Sequence, residues 1–257
     1  MKNLQDSEKT KAFPDSPSPK QKSNGLDDLE KELAKLKNSS KAKLLQGFFK
    51  TGKGEYGEGD IFLGIVVPKL RKISEEYKHL QLQDLQILLN SNVHEKRLIS
   101  LFILVLKYQK ASDEEREKIY DFYLKNTRNI NNWDLVDLSA HQIVGEYLFD
   151  KDRKKLYELA KSSNLWEKRI AIISTFYFIR EEQFEDSLKI GEILMNDKHD
   201  LIHKAVGWML REIGKRDFKV EEEFVKKYCK IMPRTMLRYA IEKFPEELRL
   251  KYLKGEC

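Results

Sequence analysis

The sequence predicts an all-α fold, a solenoid of stacked helix pairs, on three observations. From Leu26 onward apolar residues recur at intervals of three and four, the spacing of one helix face. No segment alternates apolar and polar residues between turn pairs, so no sheet is expected. The stretches NSNVHEKRLISLFIL, SSNLWEKRIAIISTF and NDKHDLIHKAVGWML also repeat one another, with Lys96, Lys168 and Lys204 on a common period of about 36 residues.

The elements follow in order. Residues 1–25 hold five lysines, three acids and Pro14, Pro17 and Pro19 without periodicity, and read as a disordered tail ahead of a helical domain over 26–257. Leu26, Leu29, Leu33 and Leu36 mark a first helix, and KAKLLQGFF a second. Gly47 to Gly64 carries six of the twelve glycines and reads as a loop. It lacks the Gly-Lys-Ser or Gly-Lys-Thr of a phosphate loop. Pro68 then opens a helix, where its fixed φ and missing N–H do no harm. In the repeats, Asn132 falls between Lys96 and Lys168 and opens a helix read as NWDLVDLSAHQIVGEYL. A last unit aligns LRYAIEKF from Leu237 with IHKAVGWM from Ile202. The tetratricopeptide pattern is missing, which leaves HEAT-like pairs. Each unit has an apolar stripe it cannot bury alone, such as Leu98, Leu101, Phe102 and Val105, or Ile170, Ala171, Ser174 and Phe178. Stacking buries the stripes and sets the second helices side by side along a concave groove.

Charge and composition narrow the function classes. Charged residues make up 35% and hydrophobic ones 40%, which suits an elongated surface, and the net charge of +6 favours an acidic partner. Cys229 and Cys257 define no disulfide framework, so a reducing, cytoplasmic compartment is expected. No apolar run has the roughly 18 residues of a membrane span, and MKNLQDSEKT has no secretory apolar segment. His79, His94, His141, His199 and His203 fall in no metal-ligand spacing, and no nucleophile elbow occurs, so neither metal nor cofactor is expected. A monomer is the default expectation.

The residues able to carry chemistry lie near the starts of the lining helices. Arg97, Trp133 and Arg169 hold equivalent places in the repeat and should form a row. Trp133 and Asp137 are four apart, on one helix face, with His141 continuing the line; the core stripe of that helix is Val136, Ala140, Ile143 and Tyr147. An indole and a carboxylate are thus expected together outside the core, unless Trp133 merely staples the helix start and Asp137 a salt bridge. Asp134, in the first turn, complements the helix dipole and reads as structural. Arg169 in a first turn opposes that dipole, so it is either an ordinary surface charge or is favoured by a partner such as Asp137 or a phosphate. Trp208 sits inside an apolar helix and by itself would read as core, but Arg211 and Lys215 follow it on a basic helix edge, an arrangement suited to nucleic acid. Tyr56 and Asp60 could edge the groove or serve the turn.

At these residues the chain resembles the AlkD family of DNA alkylation repair glycosylases. The resemblance rests on YGEGDIFLGIVVPKLRKI, NVHEKRLISLFIL, NNWDLVDLSA, LWEKRIAIIST and IHKAVGWMLREIGK, between about Leu44 and Phe244. It implies a catalytic Asp137, an active-site Arg169, groove indoles Trp133 and Trp208, and a phosphate-contacting Arg211. The implied activity is hydrolysis of the N-glycosidic bond of cationic N3- or N7-alkylated purines in double-stranded DNA, without a pocket for a flipped base and without metal or cofactor. Lys168, Lys204, Arg97 and Lys215 would bind the DNA backbone, placing a cytoplasmic protein at the nucleoid. The alternative is a non-catalytic HEAT-repeat protein that binds damaged or branched nucleic acid, for which a carboxylate at 137 has no use.

Overall fold

The computed structural model describes residues 25–256. The expected tail and Cys257 lie outside them, except that Gly25, assigned to the tail, is the first residue of a helix. Among the described residues the fold is all helical; its nearest approach to a sheet is one isolated parallel bridge, Ile61 to Val93. None of these helices is long and apolar enough to cross a membrane.

The first helices follow the sequence reading. α1 (Gly25–Lys35) buries Leu26, Leu29 and Leu33, α2 is Ser39–Phe48, and α3 (Val67–Glu76) carries Pro68 in its first turn. Helix pairs then stack: α4 (Leu82–Leu89) with α5 (His94–Tyr108), α6 (Asp113–Lys125) with α7 (Trp133–Asp137) and its continuation, α9 (Lys154–Ala160) with α10 (Leu165–Arg180), α11 (Glu185–Leu194) with α12 (Asp200–Gly214), and α13 (Phe218–Tyr228) with α14 (Arg234–Ala240). The second helices α5, α7, α10, α12 and α14 pack each on the next. Side chains fix their starts: Asn132 accepts the Trp133 N–H and Asn164 the Trp166 N–H, both at 2.9 Å. The predicted stripes, Leu98, Leu101, Phe102 and Val105 and Ile170, Ala171, Ser174 and Phe178, are all buried.

The helix expected from Asn132 to Leu148 is broken. α7 ends at Asp137, a π-helical turn runs over His141–Gly145, and α8 (Glu146–Leu148) resumes the α form. Two side chains capture the carbonyls an α-helix would use: Ser139 Oγ donates to the Leu135 oxygen at 2.5 Å and Gln142 Nε2 to the Leu138 oxygen at 2.7 Å. The π turn brings Gly145 against α10, where a Cβ would lie 2.3 Å from the Ser174 carbonyl oxygen. Only glycine allows that approach, and it sets the distance between the helix bearing Asp137 and the helix bearing Arg169.

The glycine-rich loop is anchored by buried charge. Gly64, at φ +85°, presses on α2 so closely that a Cβ would meet the Asn38 carbonyl at 2.2 Å. Glu95 accepts the backbone N–H groups of Leu63, Gly64 and Ile65 at 2.9, 2.8 and 3.2 Å. Beside it the His94 imidazole lies between Asp60 (3.2 Å) and Asp134 (2.8 Å), and Arg97 reaches Asp60 at 2.7 Å. Asp134 is structural, as expected, but through this buried cluster that ties α7 to α5 and the loop. Burial alone would push the His94 ring down; Asp134 and Asp60 outweigh it and raise its pKa to about 9. Burial likewise pushes Asp60 up, but His94 and Arg97 hold it below the usual carboxylate range.

Two outcomes follow. A histidine raised in the folded state contributes stability that is complete below its unfolded value near 6.5 and lost as pH rises through about 9. His94 should therefore account for roughly 3 kcal/mol of the stability that denaturant titrations lose between pH 6 and 10, and His94→Gln should be less stable at pH 6 and lose less over that range. Gly145→Ala should cost about 1–3 kcal/mol by overpacking, read as a lower urea midpoint at unchanged m-value.

Candidate active site

One cleft, of about 1000 Å³, collects most of the singled-out residues. α7 supplies Trp133 and Asp137, α10 Arg169, α12 Lys204, Trp208 and Arg211, α14 Tyr239, and the α2 end with the following loop Phe48, Lys50 and Tyr56. Apart from those of α2 and the loop, these come from successive lining helices, so the repeat brings them together.

Asp137 is only 13% exposed and is gripped in a fork by Arg169: Nε donates to Oδ1 and Nη2 to Oδ2, both at 2.8 Å. The third guanidinium nitrogen donates to the Leu201 carbonyl of α12. Of the two partners sequence reasoning allowed for Arg169, the carboxylate holds it here, and the guanidinium also ties three helices together. Burial pushes the Asp137 carboxyl above its ordinary value of 3.8, and Arg169 offsets this only in part.

The indoles line the same cleft as this pair and are held differently. Trp133 stacks flat on Phe49 (centroids 5.1 Å apart, 9° between planes), with Phe48 edge-on at 5.9 Å. Phe49 continues the stack to Phe62 at 5.0 Å, and Phe62 to the His94 ring at 4.5 Å. The position of Trp133 thus traces back to the buried charges around His94. Trp208 leans on Phe176 at 5.9 Å, and its Nε1–H donates to Glu212 Oε1 at 3.1 Å. His141 is absent from the cleft lining; it meets Phe176 edge-on, and burial depresses its pKa to about 4.

The basic residues divide. Lys204 lines the cleft with its ammonium 2.7 Å from Asp200, and Arg211 lines it while paired with Glu242. Lys168 bonds Asp197 at 2.7 Å in an adjoining hollow with Ser163 and Lys198. Arg97 is corrected: it is 3% exposed, bonded to Asp60 and the Ser91 carbonyl, and cannot reach DNA. The repeat places it in the row, but the loop covers the start of α5 and ends the groove at α7. Lys215 is outside the cleft lining and bonds Glu212 at 2.6 Å.

Sequence reasoning missed Phe48, Lys50, Tyr239 and Glu212 and left Tyr56 between two roles. Phe48 is 64% exposed beside the cleft, which periodicity does not reveal in a lone aromatic. Tyr239 was findable, since the aligned last unit puts it in the register of Lys204. Among the described residues no group of three or more histidine, cysteine or acidic side chains is placed to hold a metal ion.

No curated protein matches the chain. Among solved structures it is similar to a predicted DNA alkylation repair enzyme from Enterococcus faecalis, at 18% identity and a TM-score of 0.64, over 82% of this chain and 97% of that one. AlkD2 from Streptococcus mutans aligns at 18% identity and a TM-score of 0.51, over 86% of this chain and 97% of that one. The smu.31 protein of Streptococcus mutans UA159 aligns at 16% and 0.51, over 87% and 100%. Identities this low establish the shared helical-repeat fold. The model of the family described as DNA alkylation repair enzyme matches residues 29–244, most of the sequence. The chain therefore belongs to the DNA alkylation repair enzyme family.

Proposed function

We propose that the protein is a DNA N-glycosylase that hydrolyses the N-glycosidic bond of cationic N3- or N7-alkylated purines in duplex DNA. The observation that carries this reading is the Asp137 carboxylate, forked by Arg169 inside a cleft lined by both Trp133 and Trp208. A protein that only grips phosphate gains nothing from a carboxylate there.

The chemistry follows from the residue types. An alkylated purine already carries positive charge, so the C1′–N bond breaks with its electron pair going to the base, which leaves neutral. The sugar becomes oxocarbenium-like. Asp137, fixed before DNA arrives, stabilises that cation through space and orients the water that adds to C1′ and releases its proton to solvent. A preorganised charge of this kind contributes roughly 3 kcal/mol. The indole faces favour the cation by about 0.5–2 kcal/mol each. With its nitrogens committed to Asp137 and Leu201, Arg169 acts mainly by aiming the carboxylate. Lys204 and Arg211 exchange their carboxylate partners for backbone phosphates, without reading sequence.

A second reading keeps one observation in its favour. Arg169 satisfies both carboxylate oxygens, and so neutral a pair is tolerable in a protein that binds damaged or branched nucleic acid without catalysis.

Release of 7-methylguanine and 3-methyladenine from methylated duplex decides between them: folded wild type that binds this DNA and frees neither base is a binder. The pH profile adds a signature. Single-turnover release should fail on the acid side as Asp137 protonates, with its midpoint above 3.8, and Arg169→Lys should move that limb to higher pH. Lys204→Ala and Arg211→Ala should each reduce the salt slope of duplex binding by roughly one, while Arg97→Gln leaves it unchanged.

A further inference from the structure

Glu212 lies one helical turn beyond Trp208 on α12 and only 7% of it is exposed. Its Oε1 accepts the Trp208 indole N–H at 3.1 Å and the Lys215 ammonium at 2.6 Å. The Arg216 guanidinium stands 3.7 Å from Oε2 and donates to the Glu212 carbonyl at 2.9 Å. A buried carboxylate costs several kcal/mol unless cations and donors surround it, and here two cations and an indole N–H do so. Its neighbour Glu221, on α13, is pushed by burial up to about 8, which favours its neutral form beside Glu212. Room for Glu221 exists because residue 214 is glycine; a Cβ there would lie 1.6 Å from Glu221 Oε2.

We infer that Glu212 is a positioning residue for Trp208, fixing the plane of the indole and making its ring face more electronegative. An N–H bonded to an anion shifts electron density into the ring, and a richer ring face attracts a cation more strongly. The inference rests on the glycosylase reading, because that reading puts a cationic sugar against the indole. It also gives Lys215 a role: the lysine neutralises Glu212. Glu212 itself touches no reacting atom.

The test uses two variants and two readouts. Glu212→Gln keeps an acceptor of the same size and removes the charge; Glu212→Ala removes both. The first readout is the ¹H–¹⁵N indole resonance of Trp208 in the DNA-free protein, assigned with Trp208→Phe. Its proton should move upfield in the glutamine variant and further in the alanine variant. The second is single-turnover release of 7-methylguanine beside affinity for undamaged duplex. Release should fall about threefold to tenfold for glutamine and tenfold to thirtyfold for alanine, while affinity holds or tightens because an anion near the cleft is gone. The inference is overturned by an indole resonance that stays put, by equal release rates in all three proteins, or by release that falls only in step with DNA affinity. Should wild type release no base at all, the glycosylase reading fails separately, and the resonance alone decides whether Glu212 holds the indole.

Discussion

A carboxylate buried between helices of different repeats survives only because a guanidinium reaches it, and the rest of the cleft is arranged around that pair. Arg169 comes from α10, Asp137 from α7, and the remaining guanidinium nitrogen fastens to α12. Removing one partner of such a pair strands the other in low dielectric and costs about 3–5 kcal/mol. The fork therefore serves two ends at once. It locks three lining helices into register, and it partly offsets the burial that would otherwise neutralise the carboxylate, each oxygen retaining a lone pair. The arrangement is set before any ligand enters, which gives fixed charge its value in a transition state.

The two indoles reach the same cleft by different routes. Trp133 ends a column of rings, Phe49, Phe62 and His94, and that column stands on a buried cluster of two acids and two bases. Its position is thus tied to the His94 cluster. Trp208 depends on its own helix, through the carboxylate one turn further on. Neither indole is placed by the apolar core alone. A helix stack supplies the coarse spacing, and buried polar groups supply the aim.

The sequence made the architecture legible because a solenoid writes its fold in a period: residues one repeat apart meet the same surroundings. That logic put Trp133 and Arg169 in one row, and both line one cleft together with Asp137 and Trp208. It failed where one repeat differs from the others. Arg97 has the register of Arg169 but lies under the glycine-rich loop, so its charge turns inward to Asp60. The break after Asp137 was hidden because Ser139 and Gln142 read as ordinary helix residues until their side chains take main-chain carbonyls. The pairing of Lys215 with Glu212 was likewise hidden. In each case a pairing between side chains decides the outcome, and the pattern of apolar residues does not encode it.

The central claim is that an ionised Asp137 lowers the barrier for a sugar losing a charged base. Single-turnover release of 7-methylguanine by wild type and by Asp137→Asn tests it most directly, with circular dichroism and duplex affinity measured on both proteins. The account predicts about a hundredfold slower release by a variant that remains folded and binds duplex at least as tightly. A folded Asp137→Asn that releases the base at the wild-type rate would contradict it.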